Sequence, residues 1–168
     1  MKNKKVAIVG GGLAGSEAAW QLSLMGISSN LYEMRPNKKT PAHKTSLLAE
    51  LVCSNSFRSD DHTNNAVGQL HWEMRAADGL IISMGDKARI PAGSAMAVDR
   101  MKFSSGITNL IKNNSFINTI QKEITDLKQL TEDHVIIASG PLTSNNLAQS
   151  LIELTGYKNL YFYDAIAP

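Results

Sequence analysis

The chain has 168 residues, of which 43% are hydrophobic and 19% charged, and its formal net charge is +2. This length predicts one domain with a single core, and the small charge does not indicate a nucleic-acid binder by composition alone. One cysteine excludes an internal disulfide and fits a reducing cytoplasm, and no apolar run is long enough to span a membrane.

The first predicted element is a buried strand, Val6–Val9, which breaks into a glycine-rich turn. Gly10, Gly12 and Gly15 have the G-x-G-x-x-G spacing. In that motif the first glycine permits a tight turn, the second lets the backbone approach a pyrophosphate, and the third lets the helix pack on the strand. The helix that follows would therefore direct its N-terminal N–H groups and its dipole at phosphates.

This helix is predicted to end at Gly26, and a second strand, Ser29–Tyr32, leads into Glu33. An acid about twenty residues after the glycines is placed to accept the ribose hydroxyls. Residues 1–34 therefore predict a βαβ dinucleotide fingerprint, and a carboxylate at its end favours FAD or NAD over NADP. With the small residue Ala19, the pattern is similar to the FAD-binding motif of flavoproteins of the glutathione-reductase type.

The segment 35–99 is predicted to be an insertion of loops and helices that carries Cys53. A loop at 35–41 comes first, the apolar residues of 46–52 are consistent with a short helix, and Cys53 opens a small polar turn at 53–56. A free cysteine is usually a small buried hydrophobe. Hydroxyl and amide neighbours, with Arg58 nearby in sequence, favour a thiolate instead, so both interpretations of Cys53 stay open.

Residues 64–77 predict an amphipathic helix with His71 and Glu73 on its solvated side. Its apolar side would carry Ala66, Val67, Leu70, Trp72, Met74 and Ala77. The four histidines show no metal-ligand spacing with one another or with Cys53, so no metal site is predicted. An apolar stretch at 80–84, a turn at 85–87 and an extended segment at 90–100 follow.

Residues 100–168 are predicted to return to the sheet. Asp99 caps a helix at 100–112, and a strand follows at 116–120. Strands at 123–127 and 134–138 are expected to pair through a turn near 131–133. The small residues at the end of the second of these strands would allow it to lie beside a cofactor. Thr143 or Ser144 would cap a last helix that ends at Gly156, and a further strand is expected at 160–163.

Several blocks of the chain together resemble the bacterial folate- and FAD-dependent tRNA (uracil-5-)-methyltransferases, the TrmFO family. The likeness runs nearly the whole length of the chain but covers only the N-terminal part of the family. Its most specific blocks are Cys53-Ser54-Asn55-Ser56 and Asp164-Ala165-Ile166-Ala167-Pro168. The others are Gly10–Trp20, Tyr32–Pro36, Pro91–Gly93 with Ala97–Arg100, and Ala138–Ser144.

The resemblance implies a Rossmann-like α/β domain with a parallel sheet, helices and a β-meander, incomplete at its C-terminus. The chain is accordingly expected to be the N-terminal part, 1–168, of a longer cytoplasmic enzyme that needs its remaining C-terminal portion. The implied activity is methylation of uracil carbon-5 in the T-loop of tRNA. Methylenetetrahydrofolate would give the carbon, FADH2 the electrons, and NADH or NADPH would reduce the flavin.

The resemblance also implies which residues carry this chemistry. Cys53 is expected to be the catalytic nucleophile, toward the uracil or the methylene unit. The FAD site is expected to comprise Gly10, Gly11, Gly12, Leu13, Ala14, Gly15, Glu33, Met34, Arg35, Ile124, Ala138, Ser139 and Gly140. Two alternatives remain: a wobble-uridine-modifying flavoprotein of the GidA type, and a non-catalytic FAD-binding fragment.

Overall fold

The computed structural model describes residues 5–156, and a four-stranded parallel sheet forms its centre. Its strands are β1 (Val6–Val9), β2 (Ser29–Glu33), β6 (Ile117–Gln121) and β7 (His134–Ile137). They lie in the order β6-β2-β1-β7, with Val6 opposite both Ser29 and His134. The predicted α/β fold with a parallel sheet is confirmed. The carboxyl ends of β1, β2 and β7 therefore meet at one edge, where ligands bind in folds of this kind.

Helices cover both faces of this sheet, because β1 and β2 are apolar toward both sides. The helices of the described chain are α1 (Leu13–Leu24), α2 (Ala66–Ala76), α3 (Leu80–Lys87), α4 (Arg100–Lys112) and α5 (Asn145–Thr155), of which α2 packs on α3 and on β3 (Ser56–Ser59). On one face, Ile8 and Leu31 share a buried cluster with side chains of α1, α3 and α4. On the other, Ala7 and Val9 pack with Leu147 of α5.

A second, antiparallel sheet lies within the insertion. It is formed by β3 (Ser56–Ser59), β4 (Arg89–Ile90) and β5 (Ala95–Val98), in the order β3-β5-β4. The expected pairing of strands at 123–127 and 134–138 is wrong. β7 instead pairs in parallel with β1, and Asp126 accepts from the Lys128 N–H to start a 3-10 turn at Leu127–Gln129.

The expected short helix at 46–52 is also absent from the structure. Ala49 has a φ of +50°, and its N–H donates to the Gly11 carbonyl oxygen at 2.8 Å. The Leu48 N–H donates to the Thr108 hydroxyl at 2.9 Å. Contacts with distant parts of the chain thus replace the local hydrogen bonds that a helix would need, and Leu48 and Ala49 are buried beside the glycine turn.

The orientation of α2 differs from the prediction. His71 is buried, whereas Leu70 and Trp72 are each about half exposed, at 53% and 51%. Glu73 is exposed as expected. The reason is that α2 packs on α3 and β3 through the side that carries His71, and His71 Nδ1 is hydrogen-bonded to Asp60 Oδ1 at 3.0 Å.

The ends of α1 and α4 agree with the sequence prediction, and α3 continues through residues that were predicted to form a turn. Asp99 caps α4 by accepting from the Lys102 N–H, and Gly26 follows α1 with a φ of +71°. The predicted turn at 85–87 is the end of α3. Gly85 leaves room there for the Met96 side chain, because a Cβ on Gly85 would lie 2.4 Å from the Met96 methyl carbon. The strand expected at 160–163 and the block at 164–168 lie outside the described residues. Within 5–156, no helix is long and apolar enough to cross a bilayer.

Candidate functional site

The glycine turn between β1 and α1 is shaped by close backbone contacts. The Gly10 N–H donates to the Tyr32 carbonyl oxygen at 2.9 Å, and Gly10 has a φ of +107°, a conformation that favours glycine. A Cβ on Gly15 would lie 1.8 Å from the Gly10 carbonyl oxygen. The first and third glycines of the motif therefore have structural roles, in the turn and in the contact of helix with strand.

Gly12, the second glycine of the motif, differs because it faces open space. It is the residue before α1, and a Cβ added there would meet no described atom within 4 Å. No side chain among the described residues caps the helix at this position. The first N–H groups of α1, at Leu13 and Ala14, are thus available to an anion that approaches along the bare backbone.

Glu33 lies beneath this turn and is almost completely buried. Its Oε2 accepts from the Gly11 N–H at 2.9 Å and from Arg35 Nη2 at 3.1 Å. Its Oε1 accepts from the Arg35 N–H at 3.0 Å and from Arg35 Nε at 2.9 Å. Burial would raise the pKa of this carboxyl, but the hydrogen bonds from Arg35 and Gly11 outweigh burial and hold the pKa below its usual value.

Four donors use all the acceptor positions that a carboxylate normally offers. A ribose hydroxyl can therefore bind Glu33 only by sharing or replacing one of them, of which the Arg35 Nη2 contact is the longest. The expectation that Glu33 holds the ribose stays a prediction. The structure adds that Glu33 also anchors the turn itself, through Gly11.

Arg35 connects Glu33 to a second carboxylate, Glu50. Arg35 Nη1 lies 3.0 Å from Glu50 Oε2, and the Arg35 side chain is about 2% exposed. Glu50 also accepts from the N–H groups of Lys44 and Thr45. Burial would raise the pKa of Glu50, but these main-chain bonds, Thr45 and Arg35 together lower it. The 35–50 loop is thereby tied to the end of β2.

The sequence did not predict this link, although Arg35 was expected near the cofactor. Glu50 is fifteen residues from Arg35 and follows an irregular segment, so no periodic pattern relates the two. The one available signal was a basic residue two positions after Glu33.

The end of β7 packs tightly against the turn from the other side. The Ala138 N–H donates to the Val9 carbonyl oxygen at 2.8 Å, and a Cβ on Gly10 would lie 2.6 Å from the Ala138 carbonyl oxygen. The Ser139 hydroxyl is hydrogen-bonded to the Thr143 hydroxyl at 2.6 Å. The small residues at 138–140 thus allow the close approach of β7 to the glycine turn.

These features surround a cavity of about 320 Å³ at the carboxyl edge of the sheet. Every residue predicted to bind FAD lines it except Gly15, which lies behind the turn. It is also lined by residues that the sequence analysis did not assign to the FAD site: His43, Glu50, Val52, Lys122, Glu123, Pro141, Leu142, Thr143, Ser144, Leu147, Val9 and Tyr32. The cavity is at the lower end of the range for small-molecule sites.

Cys53 is exposed and does not line this cavity, although its neighbour Val52 does. Among the described residues, no hydrogen bond joins the Arg58 side chain to Cys53. Two other cations close in sequence have carboxylate partners: Arg35 bonds Glu33 and Glu50, and Lys38 bonds Glu123 at 2.6 Å. Arg100 is the cation that contacts this segment, because its Nη2 donates to the Cys53 carbonyl oxygen at 3.0 Å. Within 5–156, no group of three or more His, Cys, Asp or Glu side chains could hold a metal ion.

Comparisons with known proteins agree with this architecture. Residues 5–168 match the profile of the family described as glucose inhibited division protein A. The methylenetetrahydrofolate–tRNA-(uracil-5-)-methyltransferase TrmFO of Paracoccus denitrificans (strain Pd 1222) is 55% identical over 163 residues, which are 97% of this chain and 36% of that protein. The protein of the same name from Bacillus subtilis (strain 168) is 54% identical over the whole chain, which spans 38% of its length.

Two solved structures share the fold at low sequence identity. GidA of Aquifex aeolicus, in its form II crystal, has a TM-score of 0.58 and 17% identity, and covers 78% of this chain and 21% of its own. The Y270F mutant of MHPCO has a TM-score of 0.54 and 12% identity, and covers 89% of this chain and 42% of its own. The chain thus spans little more than a third of the curated relatives that it matches.

Proposed function

The chain belongs to the glucose inhibited division protein A family, and on that premise we propose that it is the N-terminal, FAD-binding part of a folate-dependent tRNA (uracil-5-)-methyltransferase. The observation that carries this proposal is the open backbone at Gly12, at the uncapped start of α1 and above the buried Glu33. A helix start of this kind suits a pyrophosphate. The names of relatives at about 55% identity support the activity.

In this proposal the N–H groups of Leu13 and Ala14 bind the FAD pyrophosphate, and Glu33 and Arg35 contact the adenosine ribose. Ile124, buried at the wall of the same cavity, lies against the adenine. The end of β7 at 138–140 closes the far side. The bound flavin, once reduced to FADH2 by NADH or NADPH, would supply the two electrons that reduce the transferred methylene carbon to a methyl group.

Cys53 is the proposed nucleophile. Its exposure leaves the thiol accessible to a macromolecular substrate, and a thiolate can attack an electrophilic ring carbon or methylene group. Methylenetetrahydrofolate and tRNA as substrates are supported by the names of the relatives. Three further parts of the proposal rest on the resemblance alone: the T-loop as the site of modification, NADH or NADPH as the reductant, and a cytoplasmic location.

The first test is the visible absorbance of the purified chain, with any released cofactor identified by chromatography. Bound FAD would support the proposed site. The FAD would then be removed, and the affinity for added FAD would be compared between the wild type and Gly12→Ala to measure the role of the open backbone. A chain that carries no flavin and does not take up added FAD would contradict the proposal for this chain.

The second test uses the full-length protein of which this chain is proposed to be the N-terminal part. It is incubated with an unmodified tRNA transcript, FAD, NADPH and methylenetetrahydrofolate, and the nucleosides are analysed by mass spectrometry. Formation of 5-methyluridine in the T-loop, lost in Cys53→Ser, is the expected result. A modified wobble uridine would favour the GidA-type alternative. Bound FAD without any transfer would favour the non-catalytic alternative.

A further inference from the structure

A second cavity of about 350 Å³ lies between α1, α2, α3 and the antiparallel sheet. Its walls are mainly apolar and include Phe57, Leu70, Met74, Ile82 and Met96. We call it the Phe57 groove. It adjoins the main cavity, with which it shares Leu13 and Ala14 at the start of α1, and its other lining residues lie outside that cavity.

His71 places one polar group in this groove. The residue is about 5% exposed, and its Nδ1 lies 3.0 Å from Asp60 Oδ1. Asp60 is held by Arg75 and Arg89, at 3.0 and 2.7 Å. Burial would raise the pKa of Asp60, but hydrogen bonds from His71, Arg89 and Arg75 together keep the pKa below its usual value. The partner of His71 is therefore a carboxylate.

A carboxylate only accepts hydrogen bonds, so Nδ1 of His71 carries the proton that is shared with Asp60. In the neutral ring, Nε2 is then an acceptor with a free lone pair. Within residues 5–156 no group is hydrogen-bonded to Nε2, and the ring lines the groove.

Glu17 is the other polar side chain at this cavity, and three donors hold it. Its Oε1 accepts from the Leu80 N–H and from Gln21 Nε2, and its Oε2 accepts from the Ile81 N–H at the start of α3. The groove thus combines apolar walls, an aromatic ring packed on Phe103 at a centroid distance of 5.5 Å, and the His71 Nε2 acceptor, which has no partner among residues 5–156. A flat ring that carries an N–H donor has the complementary chemistry.

We propose that the Phe57 groove binds an unstacked uracil base, with the uracil N3–H donating to His71 Nε2 and the ring packed against Phe57. The inference rests on the proposed function, because uracil is the base on which that activity acts. Enzymes that modify a base take it out of the stack and recognise its Watson–Crick edge. Cytosine has a lone pair at N3 instead of an N–H, so His71 would disfavour it.

The test is a titration of the chain with 1-methyluracil, which keeps N3–H, and with 1,3-dimethyluracil, which lacks it. Binding is followed through the imidazole resonances of His71 by NMR, at one fixed pH for both ligands. We expect 1-methyluracil to shift these resonances. We expect 1,3-dimethyluracil to bind at least about tenfold more weakly, which corresponds to about 1.4 kcal/mol.

His71→Phe keeps an aromatic ring and removes the acceptor, so it should bind both ligands alike. His62→Phe is the matched control, because His62 is exposed and lies outside the groove, and it should retain the difference. The ligand comparison on the wild type needs no variant, so a misfolded His71→Phe does not affect it. Equal affinities of the wild type for the two ligands, or ligand shifts that leave His71 unchanged, would overturn the proposal.

The outcome is separable from that of the proposed function. If the chain binds 1-methyluracil more tightly than 1,3-dimethyluracil but no 5-methyluridine forms on tRNA, the base site is supported and the methyltransferase activity is contradicted. Methylation of tRNA without discrimination at His71 would do the reverse.

Discussion

Gly12 and Gly15 belong to one motif, yet the structure predicts opposite effects for the same substitution. In Gly15→Ala the new methyl carbon would lie 1.8 Å from the Gly10 carbonyl oxygen and 3.4 Å from the Ala138 Cβ. The nearest atom is main chain within a tight turn, so α1 must move away from β1. Overpacking costs about 1–3 kcal/mol, and we expect about 3 kcal/mol here because no flexible side chain can yield.

Gly12→Ala should leave the free energy of unfolding within about 1 kcal/mol of the wild type, which is the usual cost of alanine at an N-cap. Its φ of −75° suits any residue, and no described atom lies within 4 Å of the new Cβ. The methyl group would instead occupy the approach to the start of α1. We therefore expect the affinity for FAD to fall by at least about tenfold, or about 1.4 kcal/mol.

Urea unfolding followed by tryptophan fluorescence measures the first quantity, and quenching of flavin fluorescence measures the second. Equal stabilities of the two variants would refute the packing argument. FAD binding by Gly12→Ala with wild-type affinity would refute the assignment of the open backbone to the pyrophosphate.

Two further predictions concern the carboxylates around Arg35. Arg35→Met should destabilise the chain by about 3 kcal/mol or more, because it leaves the buried Glu33 and the partly buried Glu50 without their cation. Lys38→Met, at an exposed pair, should cost less than about 1 kcal/mol. Similar unfolding free energies for the two variants would count against the buried network. Since folding lowers the pKa of Glu33 and of Glu50, both stabilise the fold above their usual pKa of 4.5 and lose this effect as the pH falls through their folded values. The difference in unfolding free energy between the wild type and Arg35→Met should therefore shrink as the pH falls below about 5, and a difference that stays unchanged at low pH would contradict this origin.

The sequence predicted the elements whose signals are local. The strand, turn, helix and acid from Val6 to Glu33 follow from periodicity and glycine spacing, and Asp99 is a cap that its own neighbours reveal. Twelve of the thirteen residues that the resemblance implied for the FAD site line the main cavity, where the carboxyl ends of neighbouring parallel strands meet at one edge.

The failures occurred where a distant contact overrides a local preference. The apolar residues at 46–52 suit a helix, but the Ala49 N–H bonds Gly11 and the Leu48 N–H bonds Thr108. His71 was placed in solvent because imidazole is polar, and only the fold brings Asp60 to it. The Arg35–Glu50 pair and the β3–β5 pairing depend on the same kind of long-range information.

The position of β7 at the edge of the sheet has a consequence for self-association at high protein concentration. It is an outermost strand of the described sheet, and Val135 and Ile137 on it are 42% and 37% exposed. Unprotected strand edges with apolar side chains act as templates for further strands. If a segment of the same polypeptide pairs with this edge, the sheet is protected, whereas pairing with another copy leads to self-association. Self-association would appear as turbidity that rises with protein concentration, and Val135→Lys should suppress it.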